Sequence, residues 1–443
     1  MIDCVIKNGT VIDGTGSKGV RADVGIKNGR IIEIGKVTDG AKRTVDAEGK
    51  VVAPGFVDVH THYDAQVSWD PALTPSSLHG VTTVVGGNCG FTLAPVVDSS
   101  IDYVTRMLAC VEGMPVEALQ TALKFDWRSY SEWLSKLEGN MALNAGFMVG
   151  HSTTRRMVMG EDWRRAATDA EIEKMAGLIS ESIDAGALGF SSSWGSAHSD
   201  HMGDPVPSRF ADQDELLRLS SILRSKPGTS IEFIPPTVPA IFEDKTVKLM
   251  SSMSAAAGKS LNWNLVAVGL MADSCLDSRI STYDKAEEIG GKVVALALPI
   301  PLELYINLPT TIVFNPVAEF RKVLALPHTE RLRALSDPNV RTDILQAIVK
   351  GGHEKRLSVN FANYFVVGVA NPKLKSLEGR QIKDIAKDGN RTPFDTFLDL
   401  AVEDDLRTVF KTPPGGVDED SWKLRAKIWN DPRTLVGGSD AEV

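Results

Sequence analysis

Two apolar runs near the start of the chain alternate with polar residues, and each is interrupted by Asn-Gly. Val5 to Asp13 reads VIKNGTVID, and Val24 to Gly35 reads VGIKNGRIIEIG. Because Asn and Gly both tolerate the positive φ that a type I′ turn requires, each run predicts a β-hairpin. Residues 1–53 are therefore predicted to form a small antiparallel β domain.

From residue 55 onward, short apolar runs alternate with amphipathic segments. Thr168 and Glu171 form a capping box ahead of a helical pattern, and Thr392 followed by Pro393 begins another helix. Alternation of strands and helices predicts a parallel α/β sheet, and eight such units predict a (β/α)8 barrel over 54–443. The predicted strands are 55–60, 81–87, 145–150, 186–191, 229–234, 261–268, 292–300 and 433–438. A further run at 357–363 reads as a strand inside a long insertion, about 301–420, before the last strand.

The composition is that of an ordinary globular protein. The chain has 443 residues, 43% hydrophobic and 24% charged, with a net charge of −9. An acidic chain without basic clusters is a poor candidate for nucleic-acid binding, and no apolar run approaches the ~20 residues of a membrane span. The N-terminus carries no secretion signal, and the four cysteines lie far apart. We therefore expect a cytoplasmic protein that acts on a small molecule, with its oligomeric state open.

The segment from Gly14 to Gly19 matches GxGxxG, the phosphate-binding pattern of dinucleotide folds. In those folds the pattern opens a helix, whose N-terminus faces the pyrophosphate. Here a second predicted hairpin follows instead. We interpret the segment as a glycine-rich turn.

Three predicted strands end in residues that suit a metal site. GFVDVHTHYDAQ contains His60 and His62, which as alternate residues of a strand point the same way. HGVTTVVGGNCGF ends near Cys89, a candidate thiolate ligand, and RTLVGGSD ends in Asp440, which suits metal binding or proton transfer. The C-terminal ends of barrel strands are where active sites lie. Each residue also has an ordinary interpretation: a hydrogen-bonded His pair, a small buried Cys and a helix-capping Asp.

These segments, together with VGHSTTRRMVMG, GALGFSSS and the run from Leu377 to Leu406, resemble the amidohydrolase superfamily. More narrowly, they resemble the N-acyl-D-amino-acid deacylase (D-aminoacylase-like) group. The resemblance implies a barrel beside a small N-terminal β-sandwich, one or two zinc ions, and hydrolysis of an amide by a metal-bound hydroxide. It also implies that His60, His62, Cys89 and Asp440 bind metal, with Asp440 as the general acid/base.

The sequence departs from that group in two places. The fifth and sixth strands, TSIEFIPP and LNWNLVAV, lack the histidine ligands that the group carries there. Glu232 is a candidate substitute ligand, and Asn262 and Asn264 are expected to hydrogen-bond the substrate. The resemblance also leads us to expect a final helix and further strands after Asp440, so that the C-terminal completion is missing from this sequence, through incompleteness, truncation or remodelling.

Two more residues are expected to contact the substrate. His151 follows the third strand, and Arg209 closes the loop after the fourth, where a guanidinium can hold a carboxylate bidentately. The ordinary alternatives are a structural hydrogen bond and a surface cation. His198 and His201, in the same loop, are candidates to replace the absent ligands. The remaining histidines are interpreted as structural: His79, His328 and His353.

The leading prediction is a metal-dependent amidohydrolase that deacylates an N-acyl-(D-)amino acid. One alternative is a hydrolase of a lactone or cyclic amide, or a deaminase, because the same chemistry serves all of these substrates. Another is a non-catalytic barrel homologue that acts as a binding module. The absent histidines favour the binding module, whereas the joint presence of His60, His62, Cys89 and Asp440 favours an enzyme.

Overall fold

The protein is represented by a computed structural model that describes residues 1–236, 241–269, 273–351 and 359–441. The chain divides into two compact units. Unit 1 comprises Met1–Val57 and His79–Thr83, and unit 2 comprises Asp58–Leu78 and Val84–Val443.

The regular elements of the described residues are numbered in chain order. The strands are β1 (Ile2–Val11), β2 (Val20–Lys27), β3 (Arg30–Gly35), β4 (Ala41–Asp46), β5 (Val51–Val52), β6 (Phe56–Asp58), β7 (Val81–Gly86), β8 (Asn144–Phe147), β9 (Val149–Gly150), β10 (Gly189–Ser193), β11 (Ser230–Ile234), β12 (Leu261–Val266), β13 (Val293–Ala297), β14 (Tyr305–Ile306), β15 (Phe365–Gly368), β16 (Val409–Lys411) and β17 (Thr434–Val436). The helices are α1 (Asp98–Val111), α2 (Val116–Ala122), α3 (Tyr130–Leu137), α4 (His151–Met159), α5 (Asp169–Asp184), α6 (Gln213–Ser221), α7 (Asp244–Ala257), α8 (Asp273–Ile280), α9 (Thr282–Glu288), α10 (Ala318–Leu324), α11 (His328–Ser336), α12 (Pro338–Lys350), α13 (Ile382–Asp388), α14 (Pro393–Glu403) and α15 (Glu419–Trp429).

Unit 1 contains a five-stranded mixed sheet. Its order is β3-β2-β1-β4, and β5 pairs with β1 beside β4. The pairs β1–β2 and β2–β3 are antiparallel, whereas β1 runs parallel to β4 and β5. The prediction of an antiparallel sheet is therefore wrong for one edge. The five-stranded sheet packs around Ile2, Val5 and Val37, and the parts of β6 and β7 that unit 1 contains belong to a second sheet, β6-β7-β8. The implied β-sandwich stays a prediction.

The two Asn-Gly pairs have different outcomes. Asn28 (φ 52°) and Gly29 (φ 70°) join β2 to β3, which confirms the type I′ hairpin. The first pair does not form a turn, because β1 continues through Asn8 and Gly9 and its register with β2 shifts there. The shift marks a β-bulge, a second site where Asn at positive φ (63°) is tolerated. A Cβ on Gly9 would lie 2.5 Å from Val52 Cγ2, so close packing also requires glycine.

The GxGxxG segment lies between β1 and β2 and leads into a strand rather than a helix. Gly14 (φ 82°) and Gly16 (φ 87°) adopt conformations that favour glycine. The interpretation as a glycine-rich turn is confirmed.

Unit 2 is built on a parallel six-stranded sheet with the order β17-β13-β12-β11-β10-β9. Side chains on both faces of this sheet are buried, as the consecutive residues Ile231, Glu232, Phe233 and Ile234 of β11 show. β7 and β8 are neighbours in a smaller sheet. The protein is therefore a mixed α/β protein, and these strand ladders by themselves do not close an eight-stranded barrel.

The capping predictions are confirmed. Thr168 Oγ1 accepts a hydrogen bond from the Glu171 backbone N–H, and Glu171 Oε2 accepts one from the Thr168 N–H at 2.8 Å, at the start of α5. Thr392 Oγ1 accepts from Asp395 N at 3.0 Å at the start of α14, with Pro393 in the first turn. Among the helices of the described ranges, none combines the length and apolar character needed to cross a bilayer.

The segment between β13 and β17 has a core of its own. Helices α10–α14 and the small antiparallel sheet β14-β16-β15 enclose aromatic side chains, among them Phe314, Phe320, Phe361, Phe397 and Phe410. Of the strand predicted at 357–363, residues 357–358 lie outside the described residues, and the described part contains a 3₁₀ helix over Phe361–Asn363. That prediction is wrong there, because the apolar side chains enter an aromatic cluster rather than a sheet face.

Candidate active site

Backbone hydrogen bonds within unit 2 bring three distant segments together. The Thr61 N–H donates to Val85 O at 3.0 Å, and the His62 N–H donates to Ala441 O at 2.9 Å. The Asp440 N–H donates in turn to His60 O at 3.0 Å. The segment after β6 is therefore held between the residues that end β7 and those that follow β17, at the C-terminal ends of parallel strands.

The loop that carries Cys89 depends on glycine. Gly87 (φ 69°), Cys89 (φ 58°) and Gly90 (φ 82°) are all at positive φ, and a Cβ on Gly87 would lie 2.3 Å from Met148 O. The buried Asp64 carboxylate accepts a hydrogen bond from the Gly87 N–H at 2.9 Å. The small residues around the cysteine thus allow the loop to turn inward and to present Sγ to the strand ends.

The four residues with predicted metal or proton-transfer roles converge. Cys89 Sγ lies 3.5 Å from His60 Nε2 and 3.8 Å from His62 Nε2. Asp440 Oδ1 lies 3.3 Å from His60 Nε2 and 3.2 Å from His62 Nε2. The first three residues are buried, whereas the Asp440 side chain is 61% exposed. The cluster is thus enclosed by protein on the histidine side and accessible at the carboxylate.

This donor set fits a zinc-like ion. The ligand atoms of His60, His62 and Cys89 all lie within 4.8 Å of one another, and imidazole nitrogen, thiolate sulfur and carboxylate oxygen are the donors that zinc takes in proteins. The ring nitrogens that face away are also engaged, since His62 Nδ1 lies 3.1 Å from Glu112 Oε1 and His60 Nδ1 lies 2.9 Å from the Asn264 carboxamide. Such outer partners orient the rings so that Nε2 is presented to a metal.

Glu232 supports the cluster rather than joining it. It is fully buried, Oε2 accepts a hydrogen bond from the Cys89 N–H at 2.9 Å, and Oε1 accepts one from the Asn264 carboxamide. Burial raises the pKa of this carboxyl group to about 7. Both of its oxygens bind protein groups, which favours a positioning role over the predicted role as a substitute ligand.

The two asparagines of β12 lie on the same side of the site. Asn264 contacts His60 and Glu232 and also lines the cavity at the cluster, and its binding of a substrate stays a prediction. Asn262 is half-buried and donates to Asn264 Oδ1 at 3.4 Å. Its Oδ1 is buried without a hydrogen-bond partner in the described part of the chain. Substrate binding by Asn262 stays a prediction.

His151 has the structural role that the sequence left as an alternative. The residue is fully buried, with Nδ1 2.8 Å from Ser192 Oγ and Nε2 2.8 Å from Glu215 Oε1. Arg155 Nη1 donates to both oxygens of the same carboxylate. Both ring nitrogens are bound within this buried network, which favours the structural hydrogen bond, and substrate binding by His151 stays a prediction.

The loop after β10 presents one histidine to the site. His198 lies beside His60 and His62 in the wall of the cavity, with Nδ1 2.7 Å from Ser193 Oγ. Burial, together with the nearby imidazole of His62, lowers the pKa of His198 to about 3, so the ring is neutral. Arg209 Nη1 donates to the backbone oxygens of Ser196 (3.5 Å) and His198 (3.3 Å), so it braces this loop, and its binding of a carboxylate stays a prediction.

The other histidines lie elsewhere. His201 packs against the ring of Tyr103 and lines a different cavity. His79 ends a 3₁₀ helix, and His328 begins α11 and lies 2.8 Å from Asp405. His353 lies outside the described residues.

The cluster opens on a cavity of about 320 Å³ with a largely apolar wall. Two charged residues in that wall were not identified from sequence. Glu112 follows α1 and is 7% exposed, and Arg279 in α8 is 2% exposed, with its guanidinium over the rings of Phe242 (4.5 Å) and Trp263 (6.0 Å). Burial lowers the pKa of Arg279 to about 10. Neither residue stands in a local pattern that distinguishes it from a surface charge, so only spatial proximity identifies them.

Comparison with known proteins gives consistent matches. The model of the amidohydrolase family matches residues 43–344, and the model of the N-terminal domain of the urease alpha-subunit matches residues 1–55. An uncharacterized protein of Mycobacterium bovis is 32% identical in an alignment 443 positions long, gaps included. The alignment covers 92% of this chain and 68% of that protein. The D-aminoacylase of Alcaligenes xylosoxydans xylosoxydans is 41% identical over 191 residues, 43% of this chain and 37% of that enzyme.

A solved structure has a similar fold. The N-acyl-D-glutamate deacylase of Bordetella bronchiseptica, complexed with zinc and a phosphonate mimic of the tetrahedral intermediate, matches with a TM-score of 0.63 and 22% identity. The match covers 99% of this chain and 76% of that one.

Proposed function

The chain belongs to the amidohydrolase family and is thus a hydrolytic enzyme that acts on C–N bonds, and from this premise we propose that it deacylates N-acyl-D-amino acids with the help of a bound metal ion. The observation that carries the proposal is the convergence of His60 Nε2, His62 Nε2, Cys89 Sγ and Asp440 Oδ1 over 3.2–3.8 Å. The substrate class is supported by relatives named D-aminoacylase and N-acyl-D-aspartate deacylase.

We extend the proposal to the fold around the site. The backbone hydrogen bonds of Thr61, His62 and Asp440 join residues next to β7 and β17. They support a (β/α)8 barrel over 54–443 that follows a β domain over 1–53 in the chain and has 301–420 as an insertion.

His60, His62, Cys89 and Asp440 would hold one zinc ion. When bound there, zinc supplies a Lewis acid for the amide carbonyl and lowers the pKa of water. Glu112 lies at the outward Nδ1 of His62 and favours a proton there, which leaves Nε2 of that ring unprotonated and available. The Asn264 carboxamide nitrogen donates to Nδ1 of His60 and fixes the orientation of that ring, whose Nε2 would give up its proton when a metal binds.

Asp440 is the proposed proton carrier. Its Oδ1 lies against the two imidazoles, and Oδ2 makes no hydrogen bond within the described ranges. The carboxylate takes a proton from the attacking water and delivers it to the amine nitrogen as the C–N bond breaks. The 61% exposure of the side chain gives water and the leaving amine access to it.

Two wall residues orient the substrate. Ser193 Oγ accepts a hydrogen bond from the Gly195 N–H and lies 2.7 Å from His198 Nδ1, so its own hydrogen is directed to that nitrogen. The neutral imidazole of His198 then carries its proton on Nε2, a donor for the amide oxygen. Arg279 is the proposed anchor for the α-carboxylate, because it is a buried cation in the wall of the cavity and a guanidinium matches the geometry of a carboxylate. Leu265, Leu296 and Ile312 line the cavity with an apolar surface that suits the acyl chain.

A panel of substrates tests the proposal. The purified chain, first depleted of metal and then loaded with zinc, is assayed on matched N-acetyl-D- and N-acetyl-L-amino acids, lactones and cyclic amides. We expect zinc to restore hydrolysis of the D-series. Absence of hydrolysis of every N-acyl amino acid, with turnover of lactones or cyclic amides, would replace the substrate class. A chain that binds no zinc and gains no activity would support the binding-module alternative.

The carboxylate anchor has its own test within the same assay. Arg279→Gln is expected to raise KM by about 10–100-fold with a smaller change in kcat, because a hydrogen bond to a charged group contributes roughly 1.5–3 kcal/mol. Arg209→Gln is the matched variant, since it removes the other candidate cation. A larger rise in KM in Arg209→Gln than in Arg279→Gln would transfer the anchoring role to Arg209.

A further inference from the structure

A second cavity, of about 520 Å³, lies in unit 2 apart from the proposed active site. Its wall comes from α1, the loop after β10, residues 307–315 and helices α10 and α11. The proposed function makes no use of it. We propose that this cavity is a binding site for a small molecule that carries an oxyanion, either a carboxylate or a phosphate.

The wall of the cavity is rich in positive charge. Its cationic side chains are Arg106, Arg321, Arg331 and Arg407, with the imidazoles of His201 and His328, against the carboxylates of Glu117 and Asp200. Some of this charge is neutralised locally, since Arg106 pairs with Asp102 at 2.9 Å and His328 lies 2.8 Å from Asp405. Arg321 and Arg331 form no ion pair with any residue that the structure describes. Arg407 also forms no ion pair in the described ranges but is exposed, so Arg321 and Arg331 are the half-buried cations of the wall that lack a partner carboxylate.

Those two guanidiniums are half-buried and bind only backbone oxygens. Arg331 donates to Leu326 O at 3.0 Å and to Pro309 O at 3.3 Å, and burial lowers its pKa. Arg321 donates through Nη1 to Asn315 O at 2.9 Å. Carbonyl dipoles hold the groups in place but do not cancel their charge, and a cation withdrawn from water attracts an anion more strongly than an exposed cation does.

Arg321 has N–H donors that make no hydrogen bond to the described residues. A guanidinium carries five N–H groups, and in the described residues only the Nη1 of Arg321 makes a hydrogen bond. Its side-chain stem packs near Gly203, where a Cβ would lie 3.6 Å from Arg321 Cγ. The fork is therefore placed beside the loop after β10, and its remaining donors suit a bidentate oxyanion.

One of the two carboxylates in the wall, Asp200, is already bound by protein groups. Asp200 Oδ2 accepts a hydrogen bond from the Tyr103 hydroxyl at 3.0 Å, and Oδ1 accepts from the Met202 and Asp204 N–H groups. In the same loop His201 Nδ1 is buried without a hydrogen-bond partner in the described ranges. The carboxylate of this loop is thus bound by protein donors and does not oppose an anion in the cavity.

Neighbouring residues of the same segments line the two cavities. Cys110 lines the second cavity, whereas Val111 and Glu112, next in sequence, line the first. In the same way, Thr311 and Ile312 face different cavities. An anion in the second cavity would therefore lie against the segment that holds Glu112 next to His62. We expect anion binding there to affect turnover at the proposed active site.

The test measures binding to the full chain after its metal has been removed by dialysis against a chelator. Inorganic phosphate and succinate are titrated calorimetrically at constant ionic strength, with sodium chloride as the reference anion. We expect one saturable site per chain, and at least tenfold weaker binding in Arg321→Gln, because a bidentate charge-assisted contact is lost. Lys322→Gln, an exposed neighbour on α10, is the matched control and should bind as the wild type does.

The variant Arg321→Lys keeps the charge and the stem but loses the fork, so it tests the proposal even if Arg321→Gln does not fold. It should bind several-fold more weakly than the wild type. Absence of saturable binding to the wild type up to about 10 mM, or equal binding by Arg321→Lys and wild type, would overturn the proposal. Because metal is absent in the titration, failure of the proposed deacylase activity would leave this result standing.

Kinetics with the zinc-loaded enzyme identify the source of the oxyanion. If it is part of the substrate, phosphate and succinate compete with the N-acyl amino acid, and Arg321→Gln raises KM. If it belongs to a separate ligand, inhibition or activation is not competitive. Either pattern supports the site when it disappears in Arg321→Gln, and an anion effect that persists unchanged in that variant contradicts it.

Discussion

Removal of the Glu112 carboxylate should weaken metal binding although Glu112 is not expected to touch the metal. Glu112 Oε1 lies 3.1 Å from His62 Nδ1, and the two residues are 7% and 4% exposed. In Glu112→Ala the Nδ1–H of His62 loses this acceptor in a site that admits little water. The imidazole then becomes less basic and less firmly oriented toward the metal.

The size of the effect follows from two independent scales. Loss of an outer partner of a ligating histidine costs about 10–100-fold in metal affinity, or roughly 1.4–2.7 kcal/mol. A single buried hydrogen bond to a charged group contributes about 1.5–3 kcal/mol, which agrees. Glu112→Gln keeps an oxygen acceptor but not the negative charge, so its loss of affinity should lie between those of the wild type and Glu112→Ala.

Zinc affinity is measured at neutral pH by competition with a chromophoric chelator. Thermal unfolding with and without zinc supplies a second readout, since a ligand that binds the folded state raises the melting temperature according to its affinity. Glu138→Gln, at an exposed glutamate after α3, is the control and should bind zinc normally. Zinc affinity within twofold of the wild type in a folded Glu112→Ala protein would refute the reasoning.

Three further predictions follow from other parts of unit 2. Asp440→Asn should abolish turnover yet retain zinc in a metal assay, and unchanged turnover would remove this carboxylate from the mechanism. Glu215→Ala should lower the free energy of unfolding by about 3–5 kcal/mol in urea titration, because Arg155 is left buried without its partner; a loss below about 1 kcal/mol would contradict this. Hydrogen bonds from the Arg165 side chain, and to a lesser extent from the Thr168 N–H, lower the pKa of Glu171 from 4.5 to about 2. The ionised Glu171 therefore contributes its full stabilisation of the folded state above pH 4.5, and this contribution is lost as pH falls toward 2. Glu171→Gln should therefore cost about 1 kcal/mol at pH 7 and almost nothing near pH 2, whereas a pH-independent difference, or an equal loss in the exposed Glu181→Gln control, would exclude the linkage.

Local patterns identified the elements that end at the site. The apolar runs before His60 and Cys89 predicted β6 and β7, and the run before Asp440 predicted β17. A strand period is a property of neighbouring residues, and so is a capping box such as Thr168 with Glu171. These features were readable because the residues that cause them lie within a few positions of one another.

The same local rules gave wrong predictions where a segment is compatible with two structures and distant residues determine which one forms. Asn8-Gly9 satisfies a hairpin turn and a bulge equally well, and the parallel partners of β1 selected the bulge. The apolar run that includes Phe361 could cover a sheet or fill an aromatic core, and the core around Phe397 decided it. In both cases the deciding contacts come from residues far along the chain.

Sequence alone therefore determined the strand ends near the site, the helix starts at Thr168 and Thr392, and the set of candidate metal ligands, since each depends on dihedral preference, burial period or residue chemistry. Tertiary structure decided what each polar group meets. His151 contacts Glu215, and Glu112 contacts His62. The two oxygens of Glu232 accept hydrogen bonds from the Cys89 N–H and the Asn264 carboxamide. These pairings join residues 32 to 143 positions apart. They follow from the packing of helices and the register of parallel strands, which no short stretch of the chain contains.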